Sequence, residues 1–129
     1  MRTLLNQALA ARENAYAPYS GYRVGAALLA EDGRVFTGCN MENASYGATL
    51  CAERNAFAAA INAGAREFKA IAIAGGKESA DAAASPCGIC RQVMAEFCTA
   101  DFKIILGNEE TLEEYTLEQL LPLSFRLED

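Results

Sequence analysis

From Cys51 onward the apolar pattern of this chain alternates between helix and strand, which limits it to a sheet flanked by helices. Cys51 to Ala63 is alanine-rich and helical, and Gly64 stands where a C-terminal cap belongs. Phe68 to Ala74 is a buried-strand run ending in Gly75-Gly76, and Lys77 to Ser85 is a polar, alanine-rich loop. Ser85-Pro86 opens another helix, with Pro86 in its first turn and Val93, Met94, Phe97 and Cys98 on its apolar side. Lys103 to Leu106 reads as a strand and Thr111 to Tyr115 as a weaker one. Thr116-Leu117-Glu118-Gln119 fits a capping box, so a short helix runs to Leu121 ahead of Pro122. The last residues form an exposed tail carrying Phe125.

The first half reads differently. Thr3 to Ala15 is a helix with Leu4, Leu5, Ala8, Leu9, Ala11 and Ala15 near one stripe. A loop around Pro18 follows. Val24 to Ala30 and Arg34 to Asn40 flank Glu31-Asp32-Gly33, whose Asp-Gly pair signals a β-hairpin. Met41 to Leu50 is irregular. Strands that alternate with helices pair in parallel, whereas the first two are antiparallel. The expected fold is therefore α/β, a mixed sheet between helices. With 129 residues it forms a single domain, 1–129.

Charge and composition exclude several functions. The chain has no histidine, so Ser-His-Asp and Cys-His catalysis and any His-ligated metal are ruled out. Eleven Lys plus Arg against seventeen Asp plus Glu leave a net charge of −6. With no basic cluster, nucleic acid is not the expected partner, because phosphate contacts dominate such binding. No apolar run approaches the ~20 residues of a membrane span. Asn6 and Gln7 interrupt the only N-terminal stretch that resembles a secretion signal, so the expected location is cytoplasmic. Five cysteines, an odd number including a Cys-x-x-Cys, then favour metal or redox chemistry over a disulfide framework.

Three cysteines carry that chemistry. Cys87-Gly88-Ile89-Cys90 on its own fits a redox pair, half a zinc site, or two thiols at a helix start with no role. Cys51 opens a helix of its own, and a helix N-terminus offers free N–H groups and partial positive charge that favour thiolate. Two such helix ends facing each other would present three sulfurs. A structural zinc site takes four protein ligands, so three plus an open position describe a catalytic one. A four-ligand module would have to recruit Cys39 or Cys98. Glu53, two residues after Cys51, reads either as a proton carrier beside the metal or as a solvated first-turn carboxylate. Arg54 is either an ordinary surface arginine or a second-sphere cation. Three thiolates on Zn²⁺ sum to 2 − 3 = −1, which a guanidinium would offset.

Cys51-Ala52-Glu53-Arg54 with Pro86-Cys87-Gly88-Ile89-Cys90 resembles the signature of zinc-dependent nucleoside deaminases. More specifically, almost the whole chain is similar to the short, homotetrameric cytidine deaminases. Tyr16-Ala17-Pro18-Tyr19-Ser20, Val24-Gly25-Ala26-Ala27-Leu28, Gly38 to Tyr46, Cys90-Arg91-Gln92-Val93 and Leu120-Leu121-Pro122 all carry the likeness. The resemblance implies a five-stranded mixed sheet sandwiched between helices. It implies one Zn²⁺ per chain on Cys51, Cys87 and Cys90. It implies a hydrolase of pyrimidine salvage that converts cytidine and 2′-deoxycytidine to uridine and 2′-deoxyuridine plus ammonia. Zinc-bound hydroxide would attack C4, with Glu53 shuttling protons to N3 and to the departing amine.

The same resemblance assigns substrate contacts. The Ala52 N–H would hold the pyrimidine O2, and Asn40 and Glu42 would grip the ribose hydroxyls, which favours a nucleoside over a nucleotide. Tyr22 flanks the nucleoside where the family usually has Phe. Phe125 would reach from the tail into a neighbouring subunit's site, with Tyr46 at the same junction, so active sites would be shared between subunits of a homotetramer. The partner expected is a small-molecule nucleoside, with neither nucleic acid nor membrane. Thiol–disulfide exchange at Cys87 and Cys90 is the competing chemistry, but it leaves Cys51 and Glu53 without a role.

Overall fold

The computed structural model describes residues 1–127, so positions 128 and 129 of the expected domain lie outside the described residues. The elements are α1 (Arg2–Arg12), β1 (Arg23–Ala30), β2 (Val35–Cys39), α2 (Ala52–Asn62), β3 (Phe68–Gly76), α3 (Gly88–Phe97), β4 (Lys103–Gly107), β5 (Leu112–Thr116) and α4 (Leu117–Leu120). Five strands form one sheet in the order β2-β1-β3-β4-β5. β1 runs antiparallel to both β2 and β3, β3 runs parallel to β4, and β5 is antiparallel to β4. Parallel pairing is confined to the β3-α3-β4 crossover, where a helix lies between two neighbouring strands. β5 is the weak strand of the sequence because it is an edge. Glu113 and Glu114 face solvent there, and such charges discourage pairing with another chain.

The two faces of the sheet are packed differently. Alternation along β3 sends Ala70, Ala72 and Ala74 to the α1 side, where they meet Leu4, Leu5 and Ala8. Ile71 and Ile73 go to the other side with Leu28, Ile104 and Leu106, beneath Phe57 of α2 and Met94 of α3. Phe57 anchors that layer, edge-on to Phe68 at 5.3 Å and stacked on Phe97 at 5.9 Å. The mixed sheet between helices is thus the fold the chain adopts. Among the described residues no helix is long and apolar enough to cross a membrane.

Two glycines set how closely the helices approach. A Cβ on Gly25 would lie 2.1 Å from the Ala8 carbonyl oxygen and 2.3 Å from the Arg12 nitrogen, both backbone atoms of α1 or its end. A Cβ on Gly38 would lie 2.5 Å from the Ala52 oxygen and 2.6 Å from the Ala56 nitrogen of α2. Gly38 therefore lets the first turn of α2, which follows Cys51, press onto β2.

Some local expectations shift. α1 ends at Arg12 and not at Ala15: the Glu13, Asn14 and Ala15 N–H groups donate to carbonyls three residues back, and the Tyr16 N–H leaves the helix for the Asn40 carbonyl, while the Arg12 side chain binds strand carbonyls. α3 begins at Gly88. Cys87 is its N-cap with extended backbone, so Pro86 precedes the cap and is not in the first turn. Cys98 is buried as expected but is the C-cap of α3, and Cys39 is only half-buried. The capping box at α4 has both halves: the Gln119 N–H donates to Thr116 Oγ1 at 3.2 Å, and the Thr116 N–H to Gln119 Oε1 at 2.8 Å.

Gly25→Ala is expected to destabilise the chain by about 3 kcal/mol, the upper range of overpacking, because rigid helix backbone has to move. Gly47→Ala, with nothing within 4 Å of its Cβ, is expected to be neutral. Urea midpoints at constant slope check both.

Candidate active site

The N-termini of α2 and α3 converge at one end of the sheet. Cys51 is the N-cap of α2, Cys87 the N-cap of α3, and Cys90 lies in the first turn of α3. Their three sulfurs lie within 4.8 Å of one another, with Cys51 Sγ 3.9 Å from Cys87 Sγ. Tetrahedral zinc with Zn–S bonds of about 2.3 Å holds its thiolates roughly 3.8 Å apart, so the spacing suits that ion. Among the described residues no fourth His, Cys, Asp or Glu joins the group, and neither Cys39 nor Cys98 belongs to it. A four-ligand structural module therefore does not form. Cys87 is exposed while Cys90 is buried, so the open side faces outward.

The electrostatics of the thiols suit a dication. The Cys51 thiol is pulled down to about 5, first by its hydrogen bond with Cys90, then by Arg54 and Cys87 against the opposing effect of burial. The Cys90 thiol is pushed far up, first by that same bond and then by burial and the negative charge of Glu53 and Cys51. One thiolate forms readily and the next is resisted. A bound dication removes that resistance, which is the linkage expected of a thiolate metal site. Arg54 donates to Cys51 Sγ and to the Thr49 carbonyl, each at 3.4 Å, and its buried Nε has no hydrogen-bond partner among the described residues. The surface-arginine reading of Arg54 is thus replaced by a cation against the sulfurs.

Beside the thiols lies a cavity of about 270 Å³ lined by Tyr22, Asn40, Glu42, Cys51, Ala52, Glu53, Cys87 and neighbouring residues. Glu53 is only 4% exposed yet opens onto this space. Burial pushes its carboxyl up to about 7, with Cys51 adding to the rise. It is not a solvated surface acid. A carboxyl poised near neutrality takes up and releases a proton with equal ease.

Asn40 and Glu42 are held by an irregular ladder beyond β2. The Met41 N–H donates to the Leu50 carbonyl and the Leu50 N–H to that of Met41, while the Glu42 N–H donates to the Tyr16 carbonyl. Asn40 braces β1: its Oδ1 accepts from the Val24 N–H at 2.9 Å and its Nδ2 donates to the Tyr22 carbonyl at 2.8 Å. One Nδ2 proton remains for a ligand. Glu42 accepts from the Tyr19 and Ser20 N–H groups and the Ser20 hydroxyl, which hold its carboxyl below the usual range. Of its roughly four acceptor positions, one is left.

Tyr46 and Phe125 stand apart from this cavity. Tyr46 is 81% exposed and lines an adjoining recess with Tyr19, Glu42 and Asn43. Phe125 is 69% exposed on a tail laid along α3, where its carbonyl accepts from Gln92 Nε2 and Arg126 donates to the Ala95 and Cys98 carbonyls. The sequence reading missed Ser20, which fixes Glu42, and Arg91. The latter donates to the Pro86 carbonyl at 2.8 Å, the Ser85 hydroxyl at 2.6 Å and the Leu120 carbonyl, and so holds the chain entering Cys87. Arg91 stands next to Cys90 in the sequence, but only the fold shows what it binds.

Residues 1–106 match the family model described as the cytidine and deoxycytidylate deaminase zinc-binding region. The chain belongs to the cytidine deaminases. A cytidine deaminase of Sporosarcina psychrophila is 50% identical over 127 residues, 98% of this chain and 91% of that protein. One from Halalkalibacterium halodurans is also 50% identical over 127 residues, 98% and 94% respectively. The crystal structure of cytidine deaminase from Burkholderia pseudomallei matches with a TM-score of 0.88 at 47% identity, covering 96% of this chain and 98% of that one. In this deaminase the three-cysteine group fits one zinc ion per chain.

Arg54→Gln, which removes the cation from the sulfurs, is expected to weaken zinc binding about 10- to 100-fold, the usual cost of losing an outer partner of a metal ligand. Competition with a chelator of known affinity checks this.

Proposed function

We propose that this chain deaminates cytidine and 2′-deoxycytidine hydrolytically to uridine and 2′-deoxyuridine plus ammonia, in pyrimidine nucleoside salvage in the cytoplasm. The observation that carries the reading is Glu53, buried beside three converging thiols and open to one nucleoside-sized cavity. Five unpaired cysteines accord with a reducing compartment. The whole chain, 1–129, acts as one domain.

A zinc ion held by Cys51, Cys87 and Cys90 supplies the Lewis acidity that makes water a nucleophile near neutral pH. The chain's own groups do the rest. Glu53 takes the proton that water gives up and places it on N3 of the pyrimidine, which makes C4 electrophilic. The hydroxide left behind adds to C4, forming the C4–O bond. Glu53 then takes the proton of that new C4 hydroxyl and hands it to the exocyclic amine, so that C4–N4 breaks, the C4 carbonyl forms and ammonia leaves. Ala52 is the first residue of α2, and its N–H has no partner within the helix, so it is free to donate to the pyrimidine O2. The remaining Nδ2 proton of Asn40 and the remaining acceptor position of Glu42 grip the ribose diol. A carboxylate there repels a 5′-phosphate and favours the nucleoside. Arg54 balances the charge of the thiolates.

The chain acts as a homotetramer, and its sites are shared. Tyr16, Tyr46, Ile89, Leu123, Phe125 and Leu127 are large, exposed and apolar or aromatic, which a subunit interface would cover. Phe125 is exposed and does not line its own cavity, and it supplies a stacking face to a neighbour's bound base, with Tyr46 at the junction.

Glu53→Gln is expected to retain zinc and to lose about 10²–10⁴-fold in kcat, followed as the ultraviolet change from cytidine to uridine. Removing zinc with a chelator is expected to stop turnover, and adding it back to restore it. A Glu53→Gln variant of near-full activity overturns the proton role.

Phe125→Ala is expected to cost about 1–3 kcal/mol of base stacking, read mainly in KM. Mixing Phe125→Ala with Glu53→Gln subunits and letting them exchange is expected to recover sites with both groups intact. Sedimentation gives the assembly state, and recovery without subunit exchange counts against shared sites.

A further inference from the structure

The loop from Lys77 to Pro86 joins β3 to Cys87 and lines the cavity with Ala84 and Ser85, and it carries a carboxylate to which the mechanism gives no role. Asp81 is bound twice. Its N–H donates to the Gly75 carbonyl at 2.7 Å, at the end of β3. Its Oδ2 accepts from the Tyr22 hydroxyl at 2.9 Å, at the start of β1. The Tyr22 ring lines the cavity and lies over Gly75, whose missing Cβ would sit 3.1 Å from Tyr22 Cε1, 3.1 Å from Val24 Cγ2 and 3.0 Å from Ala84 Cβ. The ring therefore lies close over the Gly75 backbone, which Val24 and Ala84 also flank, and the Asp81 carboxylate pins its outer end. Burial and Asp81 push the Tyr22 hydroxyl up to about 12, so it remains a donor.

We propose that Asp81 is a positioning residue which, through the Tyr22 hydroxyl, holds the aromatic wall of the pocket in place for the bound pyrimidine nucleoside. This rests on the reading of the cavity as the nucleoside site. Without the pin the ring loses the only hydrogen bond on its hydroxyl among the described residues, and binding has to immobilise its outer end. The loop itself stays anchored by other bonds: Asn108 Nδ2 to the Ala80 carbonyl, the Thr111 hydroxyl to the Ala82 carbonyl, and Arg91 to Ser85 and Pro86. Loss of the Asp81 side chain therefore acts on the wall and not on Cys87.

The test is steady-state deamination of cytidine with zinc content measured in parallel. Asp81→Ala raises KM about three- to tenfold, the scale of freezing one side chain on binding, with kcat within about twofold and zinc still bound. Asp81→Asn keeps an acceptor for the hydroxyl and restores KM to within about twofold of the original. Tyr22→Phe raises KM as Asp81→Ala does, and the double variant is no worse than either, because both remove the same bond. An unchanged KM in Asp81→Ala overturns the proposal, as do multiplying effects in the double variant. Loss of zinc and kcat in Asp81→Ala overturns it too, by making Asp81 a support for Cys87. An original chain without cytidine turnover overturns the nucleoside-site reading and this inference with it, whereas the other failures leave that reading standing.

Discussion

Two helix N-termini meet at one end of one sheet face, and the three thiols form a group only because they do. The parallel β3-α3-β4 unit brings the start of α3, with Cys87 and Cys90, to that end. α2 arrives from the antiparallel half of the sheet, pressed onto β2 through the space that Gly38 leaves open. At the meeting point the helix dipoles and Arg54 favour negative charge on sulfur. The thiols also resist each other's ionisation, as the opposite displacements of Cys51 and Cys90 show. A site built this way is incomplete without a dication. Closeness of packing, and not any one cysteine, makes it a metal centre.

Arginines bound to carbonyl oxygens tie together strand ends and loops around the cavity. Arg12 is buried and donates to the carbonyls of Arg23, Gly76 and Lys77, tying the end of α1 to the start of β1 and the end of β3. Its nearest carboxylate contact is Glu13 at 3.8 Å. Arg91 does the same for the chain entering Cys87. Loop and strand-end carbonyls lack a regular ladder partner, and a guanidinium offers five donors in a planar fork. These contacts leave the pocket walls little freedom, which suits a site that must hold a proton carrier and a substrate in register.

Much of this was legible beforehand, and the reason differs from residue to residue. The buried-strand run of β3, the Asp-Gly hairpin and the Thr116–Gln119 capping box are local, so neighbouring residues suffice to read them. Cys51, Glu53, Cys87 and Cys90 could be singled out because few residue types bind zinc or move protons. Pro86 was misplaced by two residues, since a cysteine cap leaves no propensity signal as strong as proline's. Taken by itself, Glu53 favoured the solvated first-turn reading, and its burial at the start of α2 overturned that. Arg12, Ser20 and Asp81 carried no signal. Each depends on a partner far along the chain, and their types are commonplace on surfaces.

The sequence by itself determined the kinds of chemistry open to this chain. Without histidine, and with an odd number of thiols including a Cys-x-x-Cys, it favours thiolate metal or redox chemistry over a disulfide framework and offers Glu53 as a candidate proton carrier. Its acidic balance sets it against polyanions. Those conclusions follow from side-chain chemistry, which needs no coordinates. Only the tertiary structure decided that the three singled-out cysteines meet, that Glu53 is desolvated enough to sit near neutrality, and that Tyr22 is pinned by Asp81. These depend on distance and burial, and both are properties of packing between segments that the chain places tens of residues apart.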